Sequence, residues 1–477
     1  MNAMKNRMSI LIGMLMLGLA LSVQAKVKPA AIFADNMVLQ REQKALPIWG
    51  WATPNKQVKV TTSWDGKAYT AKADGSGRWK QTIATPVAGG PYTISFDDGE
   101  VTRLNNVLIG EVWLCSGQSN MEMPMKGFPH QPIHEGANMD VMQSSNPNIR
   151  LFIVERNSIV TPQEDVKGTW EVAAPASVYE FSAVGYYFGK MLHQALGVPV
   201  GLVGSYWGGS TIEAWMSREM LADFEGIKFP QKKEDIKPAN QTPTTLYNGM
   251  LHPLAGMGMR GMIWYQGESN KDKPAEYNAL FEKYITSLRK QWGIGDFPVY
   301  FCQIAPYFHY GNVNSAFLRE AQLEVEKRVP NTGMAVLMDV GSRNTIHPMD
   351  KKTPGERLAL QALVRAYGMG GTAAQSPVYK EMKVSNDTVE VSFDRAPMGL
   401  TSYYETLNGF TVAGEDKNFY PAKAWVKNGK VFVVSNKVAK PVAVRYAFEN
   451  FPTANLYSVE GLPVSSFRTD KFESGLK

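Results

Sequence analysis

Between residues 106 and 371, short apolar runs alternate with helical patterns, and that alternation restricts the chain to strands and helices wound about a parallel sheet. The runs lie at 112–115, 198–203, 261–265, 299–304 and 333–338, each of buried-strand length. Between the second-listed run and the first, residues 182–196 place apolar side chains at 184, 187, 188, 191, 192 and 195, the stripe of a helix packed on one face. Residues 277–292 and 354–367 read as helices by the same test. The expectation is an α/β domain over 106–371.

The flanks have a different texture. Over 26–105, alternating runs such as Gln57-Val58-Lys59-Val60-Thr61-Thr62 are broken by Asp65-Gly66 and Asp74-Gly75, the pattern of a small sandwich-like β domain. Trp49, Trp51 and Trp79 are its aromatic anchors. Over 372–477 the β texture returns, with Asn428-Gly429 between two alternating runs as a hairpin signal. Residues 1–25 read as a secretory signal peptide: Lys5 and Arg7, an apolar run over 10–21, then Val23-Gln24-Ala25 as the small-x-small cleavage pattern. That run is shorter than the ~20 residues that span a bilayer, so the expectation is export, to periplasm or medium, after cleavage near Ala25.

Removal of 1–25 leaves 48 basic against 44 acidic residues, a net charge of +4. Without a lysine or arginine run this balance excludes nucleic acid as the expected partner. No later segment is long and apolar enough for a membrane span, and the sequence leaves the oligomeric state open. Cys115 and Cys302, the two cysteines, both lie in apolar strand-like runs, where a disulfide and buried free thiols are both open.

The chemistry concentrates where the predicted strands end. The first runs into Ser116-Gly117-Gln118-Ser119-Asn120-Met121. A serine beyond the carboxyl end of a strand stands where ligands bind in open α/β sheets, and Gly117 permits a sharp turn before it. Met121 replaces the second glycine of the usual G-x-S-x-G elbow. A nucleophilic serine needs a base, and there are six histidines. His347 follows one strand and precedes a helix, which puts it on the same edge as Ser119, whereas His252 precedes its strand. His193 sits in a helical stripe, and His130 and His134 lack the H-E-x-x-H pattern, so no metal is expected. Trp207-Gly208-Gly209-Ser210 and Gln266-Gly267-Glu268-Ser269-Asn270 end two more strands, and glycine N–H groups and a glutamine amide are the donors an oxyanion hole uses. Gly256-Met257-Gly258-Met259-Arg260-Gly261 matches G-x-G-x-x-G literally, but it precedes a strand and is read as a loop.

These stretches resemble the sialate O-acetylesterase family of the SGNH hydrolase superfamily. The resemblance rests on residues 36–41, 114–123, 207–215, 247–254, 264–270 and 319–322, on Ile346-His347-Pro348, and on C-terminal segments as far as Gly461-Leu462-Pro463. It implies a flavodoxin-like α/β core with a parallel sheet, flanked by N- and C-terminal β-rich segments. It also implies release of acetate from an O-acetylated sugar through an acyl-enzyme, without a cofactor. Ser119 is then the nucleophile and His347 the base, with Ser119 N–H, a glycine of the Gly208-Gly209 pair and Gln266 holding the oxyanion. The superfamily places an aspartate three residues before the histidine, and Asn344 stands there instead. Either a Ser–His dyad operates, or Glu268, Asp339 or a backbone carbonyl orients the imidazole. A sialic acid carboxylate calls for a cation, for which Arg319 and Arg260 are candidates, with a purely structural role as the alternative for both. A neutral acetylated xylan calls for aromatic platforms, for which Trp207, Trp215, Tyr265 and Tyr307 are candidates. The reading from another class is a non-catalytic carbohydrate-binding protein.

Overall fold

The computed structural model describes residues 26–472, so the leader expected over 1–25 lies outside the described residues. Its organising element is one long strand, Val101–Gly117. The first six residues of this strand are mostly exposed or half-buried and pair antiparallel with Gly89–Asp97 in the N-terminal β region. From Val107 onward every residue is buried, the mark of a strand covered on both faces. This second half pairs parallel with Val200–Tyr206 on one side and Gly261–Tyr265 on the other. The chain therefore passes residue 105 inside a strand, and the run at 112–115 marks only its doubly covered centre.

The central sheet runs Trp170–Ala173, Asn146–Ile153, Val200–Tyr206, Val101–Gly117, Gly261–Tyr265, Val299–Cys302, Thr332–Ala335. All neighbours are parallel except Trp170–Ala173, which runs antiparallel to Asn146–Ile153. This is an α/β fold with a mixed sheet. Alternation along the strand sends Trp113 and Cys115 to one face, packed with Val184, Phe188 and Leu358, and Val112 and Leu114 to the other, with Trp264, Phe281 and Phe301. Helices Ala183–Leu196 and Lys352–Gln361 pack together over the first face, and Pro274–Trp292 and Ala316–Arg328 pack together over the second. Each fully buried apolar side chain of this kind contributes about 1.5–3 kcal/mol over exposure.

The N-terminal region holds a three-stranded sheet, Lys28–Pro29, Leu46–Trp51 and Arg78–Ile83, packed against strands that join Val101–Gly117. In the C-terminal region Lys423–Lys427 and Lys430–Val434 form the expected hairpin, with Asn428 and Gly429 at φ 53° and 73° as its tight turn requires. It belongs to a four-stranded sheet, and a second four-stranded sheet is built on Phe410–Ala413 and Ala443–Tyr446. Cys115 and Cys302 are both free and buried.

Candidate active site

The carboxyl ends of the central strands place the serine. Gly117 closes its strand at φ 141°, and a side chain there would put a Cβ 2.2 Å from the Tyr265 carbonyl oxygen, so only glycine lets the two strands stay paired at this point. The chain then enters a single helical turn, Ser119–Glu122. Ser119 N–H opens that turn, where no intrahelical acceptor exists.

His347 arrives from the long connection after Thr332–Ala335. Its Nε2 lies 2.8 Å from Ser119 Oγ, and its Nδ1 lies 2.5 Å from Gln131 Oε1. With a carbonyl oxygen facing Nδ1, that nitrogen carries the proton, and Nε2 is left to accept from the serine hydroxyl. Phe128 packs edge-on against the imidazole at 5.3 Å. The imidazole pKa is pushed down to about 4, first by burial and then by the Lys351 ammonium, so the ring is neutral at physiological pH.

The orienting group is thus a side-chain amide that the sequence reading did not name. Asp339 is engaged elsewhere, with both carboxylate oxygens 2.7 Å from the Arg357 guanidinium. Asn344 is exposed on its loop. Glu268 is buried and accepts from Asn120 Nδ2 at 2.6 Å, not from His347. Gln131 comes from a loop more than 200 residues before the histidine, which carries no periodic pattern to mark it.

The expected oxyanion donors separate. Gln266 is fully buried, and its amide donates to Ser210 O at 3.1 Å and to Asn270 Oδ1 at 2.7 Å. Both amide hydrogens are used, so Gln266 braces two loops and does not face an oxyanion. Gly208 lies against Ser119, since a Cβ on it would sit 3.3 Å from Ser119 Cβ. Its N–H donates to Glu122 Oε2 at 2.7 Å, and Arg156 holds the other oxygen of that carboxylate. Gly209, at φ 70°, turns the chain next to it. The Arg156 guanidinium lies 5.3 Å over the ring of Trp207, a half-buried residue just before Gly208. Tyr307 is half-buried and bridges to Ser342 on the histidine connection.

Neither arginine assigned to a substrate carboxylate is available for it. Arg319 is fully buried and donates to Ser466 Oγ, Ser315 Oγ and the carbonyls of Ala447 and Glu449, which ties the Ala316–Arg328 helix to the C-terminal region. Arg260 precedes its strand, at the amino end of the sheet, and pairs with Glu111 at 2.9 Å.

Behind the serine and histidine lies a buried polar chain. Lys351 is fully buried, and its Nζ donates to Asn120 Oδ1 at 2.5 Å. Asn120 Nδ2 donates to Glu268 Oε1 and, at 3.1 Å, to the carbonyl of Ile346. Burial pushes the Glu268 carboxyl up and the Lys351 ammonium down to about 7. A serine hydroxyl in contact with a neutral imidazole, with backbone N–H groups beside them, is an arrangement that suits acyl transfer.

The comparisons with known proteins agree. Residues 109–363 match the family model described as carbohydrate esterase, sialic acid-specific acetylesterase. That is more than half of the chain. The chain belongs to this family. The sialate O-acetylesterase of Homo sapiens is 30% identical over 74% of this chain and 74% of its own length. The enzyme of that name from Mus musculus is 29% identical over 88% of this chain and 90% of its own. Among solved structures, a carbohydrate acetylesterase from Xanthomonas citri has 38% sequence identity and a TM-score of 0.85, covering 94% of this chain and all of that one. This family member is a carbohydrate O-acetylesterase, a carboxylic ester hydrolase.

Proposed function

We propose that Ser119 and His347 carry out the hydrolysis and that the substrate is an O-acetylated sialic acid. The observation that carries the mechanism is the 2.8 Å contact between Ser119 Oγ and His347 Nε2, backed by Gln131 on Nδ1. Ser119 attacks the acetyl carbonyl while His347 takes its proton, and the negative charge on the carbonyl oxygen falls to the N–H groups of Ser119 and Gly209. Gly208 N–H joins them only when Glu122 gives it up. Collapse expels the sugar hydroxyl, which takes the proton from His347, and leaves an acetyl ester on Ser119. His347 then deprotonates water, which attacks that ester and releases acetate and free serine. No cofactor or metal enters these steps. The fold is read as a flavodoxin-like SGNH core, and the chain as exported after cleavage near Ala25, in keeping with the leader pattern.

The sialic acid reading is supported by the family description and by the mammalian relatives. A second reading, a neutral acetylated polysaccharide of the xylan type, is favoured by one observation: both candidate arginines for a carboxylate are tied into the protein. Acetate release from O-acetylated sialic acid and from acetylated xylan, with Ser119→Ala beside the wild type, tests both. Release from the sialic acid alone, abolished in the variant, is the expected result. Preference for xylan would keep the mechanism and change the substrate, and undiminished activity in Ser119→Ala would overturn the mechanism.

A further inference from the structure

The reaction proposed above assigns no work to Lys351, a fully buried lysine four residues after His347. A charged side chain is almost never fully buried without a partner, and here the direct partner is an amide. Lys351 Nζ can only donate, and the Ile346 carbonyl can only accept, so together they fix which way the Asn120 amide points. Asn120 is covalently next to Ser119, and Ile346 is covalently next to His347. One amide thus ties the nucleophile turn to the loop that brings the base, and the lysine holds that amide in place. Asn120 Nδ2 also reaches Glu268, on the loop after Gly261–Tyr265, so three strand ends meet at this point.

We propose that Lys351 is a positioning residue for the esterase: through Asn120 it locks the Ser119 turn to the His347 loop at reacting distance. It also brings a positive charge to bear on the imidazole over the acid range, where the ammonium is protonated. The groups facing it are Glu268 beyond Asn120, the Asp350 carboxylate beside it in sequence, the Cys302 thiol at the end of Val299–Cys302, and the Tyr265 ring, whose centroid is 5.8 Å from Nζ. In a Ser–His–Asp triad a carboxylate behind the histidine raises its basicity. Here an uncharged amide orients the ring and a cation stands nearby, which favours the neutral imidazole and carries the working range toward acid. The inference rests on the Ser119–His347 reading, and acetate release by Ser119→Ala beside the wild type tests that reading separately.

The test is Lys351→Met and Asn120→Ala, assayed with p-nitrophenyl acetate across pH and alongside thermal unfolding. Misplacing a reacting group by about 1 Å costs on the order of 100-fold in rate. Both folded variants are therefore expected to lose about 10–100-fold in kcat with KM within about twofold. Lys351→Met alone is expected to raise the acid limb of kcat/KM, by about one pH unit, because only it removes the charge. Asn120→Ala keeps the charge and should keep the limb. Folded variants with wild-type kcat, or a loss of kcat with identical acid limbs in both, would overturn the proposal. Failure of both variants to fold would also overturn it, since the chain would then serve the fold and not the site.

Discussion

Two buried carboxylates stand at opposite ends of the central sheet, and their surroundings differ. At the amino end, Glu111 is wholly enclosed and accepts from Gln40, from Arg41, from Arg260 at 2.9 and 3.2 Å and from Tyr367 at 2.9 Å. Burial alone would raise its carboxyl, but Arg260, Arg41 and Gln40 together bring it below the ordinary carboxylate range. At the carboxyl end, Glu268 is equally enclosed, yet it accepts from one asparagine and its second oxygen has no partner among the described residues. Its carboxyl is pushed up. The first cluster is fully satisfied and joins the N-terminal region to the sheet. The second leaves polar capacity unused close to Ser119, and perturbed groups of this kind gather at working sites.

The largest effect that would sharpen this contrast is on stability at the amino end. Glu111→Ala leaves two guanidinium groups without their carboxylate, and a cost of about 3–5 kcal/mol in unfolding free energy is expected. The wild-type contribution is fully present above the unfolded carboxylate pKa of ~4.3 and is lost as pH falls through the lowered native value, so the variant and wild type should converge in acid. A cost below about 1 kcal/mol at neutral pH would break the comparison.

The next effect is on activity at the other end. With the imidazole pKa moved from 6.5 to about 4, kcat/KM should stay level down to about pH 5 and fall only near 4. An acid limb near 6.5 would contradict the burial and the nearby cation. Gln131→Ala, which frees the imidazole to rotate, should lower kcat by about 10–100-fold with little change in melting temperature. Smallest is Asn344→Asp: the residue is exposed and away from Nδ1, so kcat should change by less than about twofold. A large gain there would show that the missing superfamily aspartate matters after all.

Much of this was legible in the sequence, for physical reasons. Strands covered on both faces read as unbroken apolar runs, so Gly261–Tyr265 falls where its run is. Chain direction then put Ser119 and His347 on one edge. The amino half of Val101–Gly117 was not legible, because it alternates like any strand covered on one side. Gln131 was not legible either, since its contact with His347 joins a loop to a loop across 216 residues. For Arg319 and Arg260 the sequence leaves a substrate cation and a structural arginine both open, because sequence carries no record of burial, and the structure shows the structural role. Lys351 carries no mark in the sequence, because a lysine in a loop is ordinarily solvated.

The most direct test of the central claim is covalent labelling of the wild-type protein by an organophosphonate, with the adduct located by mass spectrometry. The account predicts one stoichiometric adduct on Ser119, formed far more slowly in His347→Ala. No adduct on Ser119, or labelling as fast without His347, would contradict it.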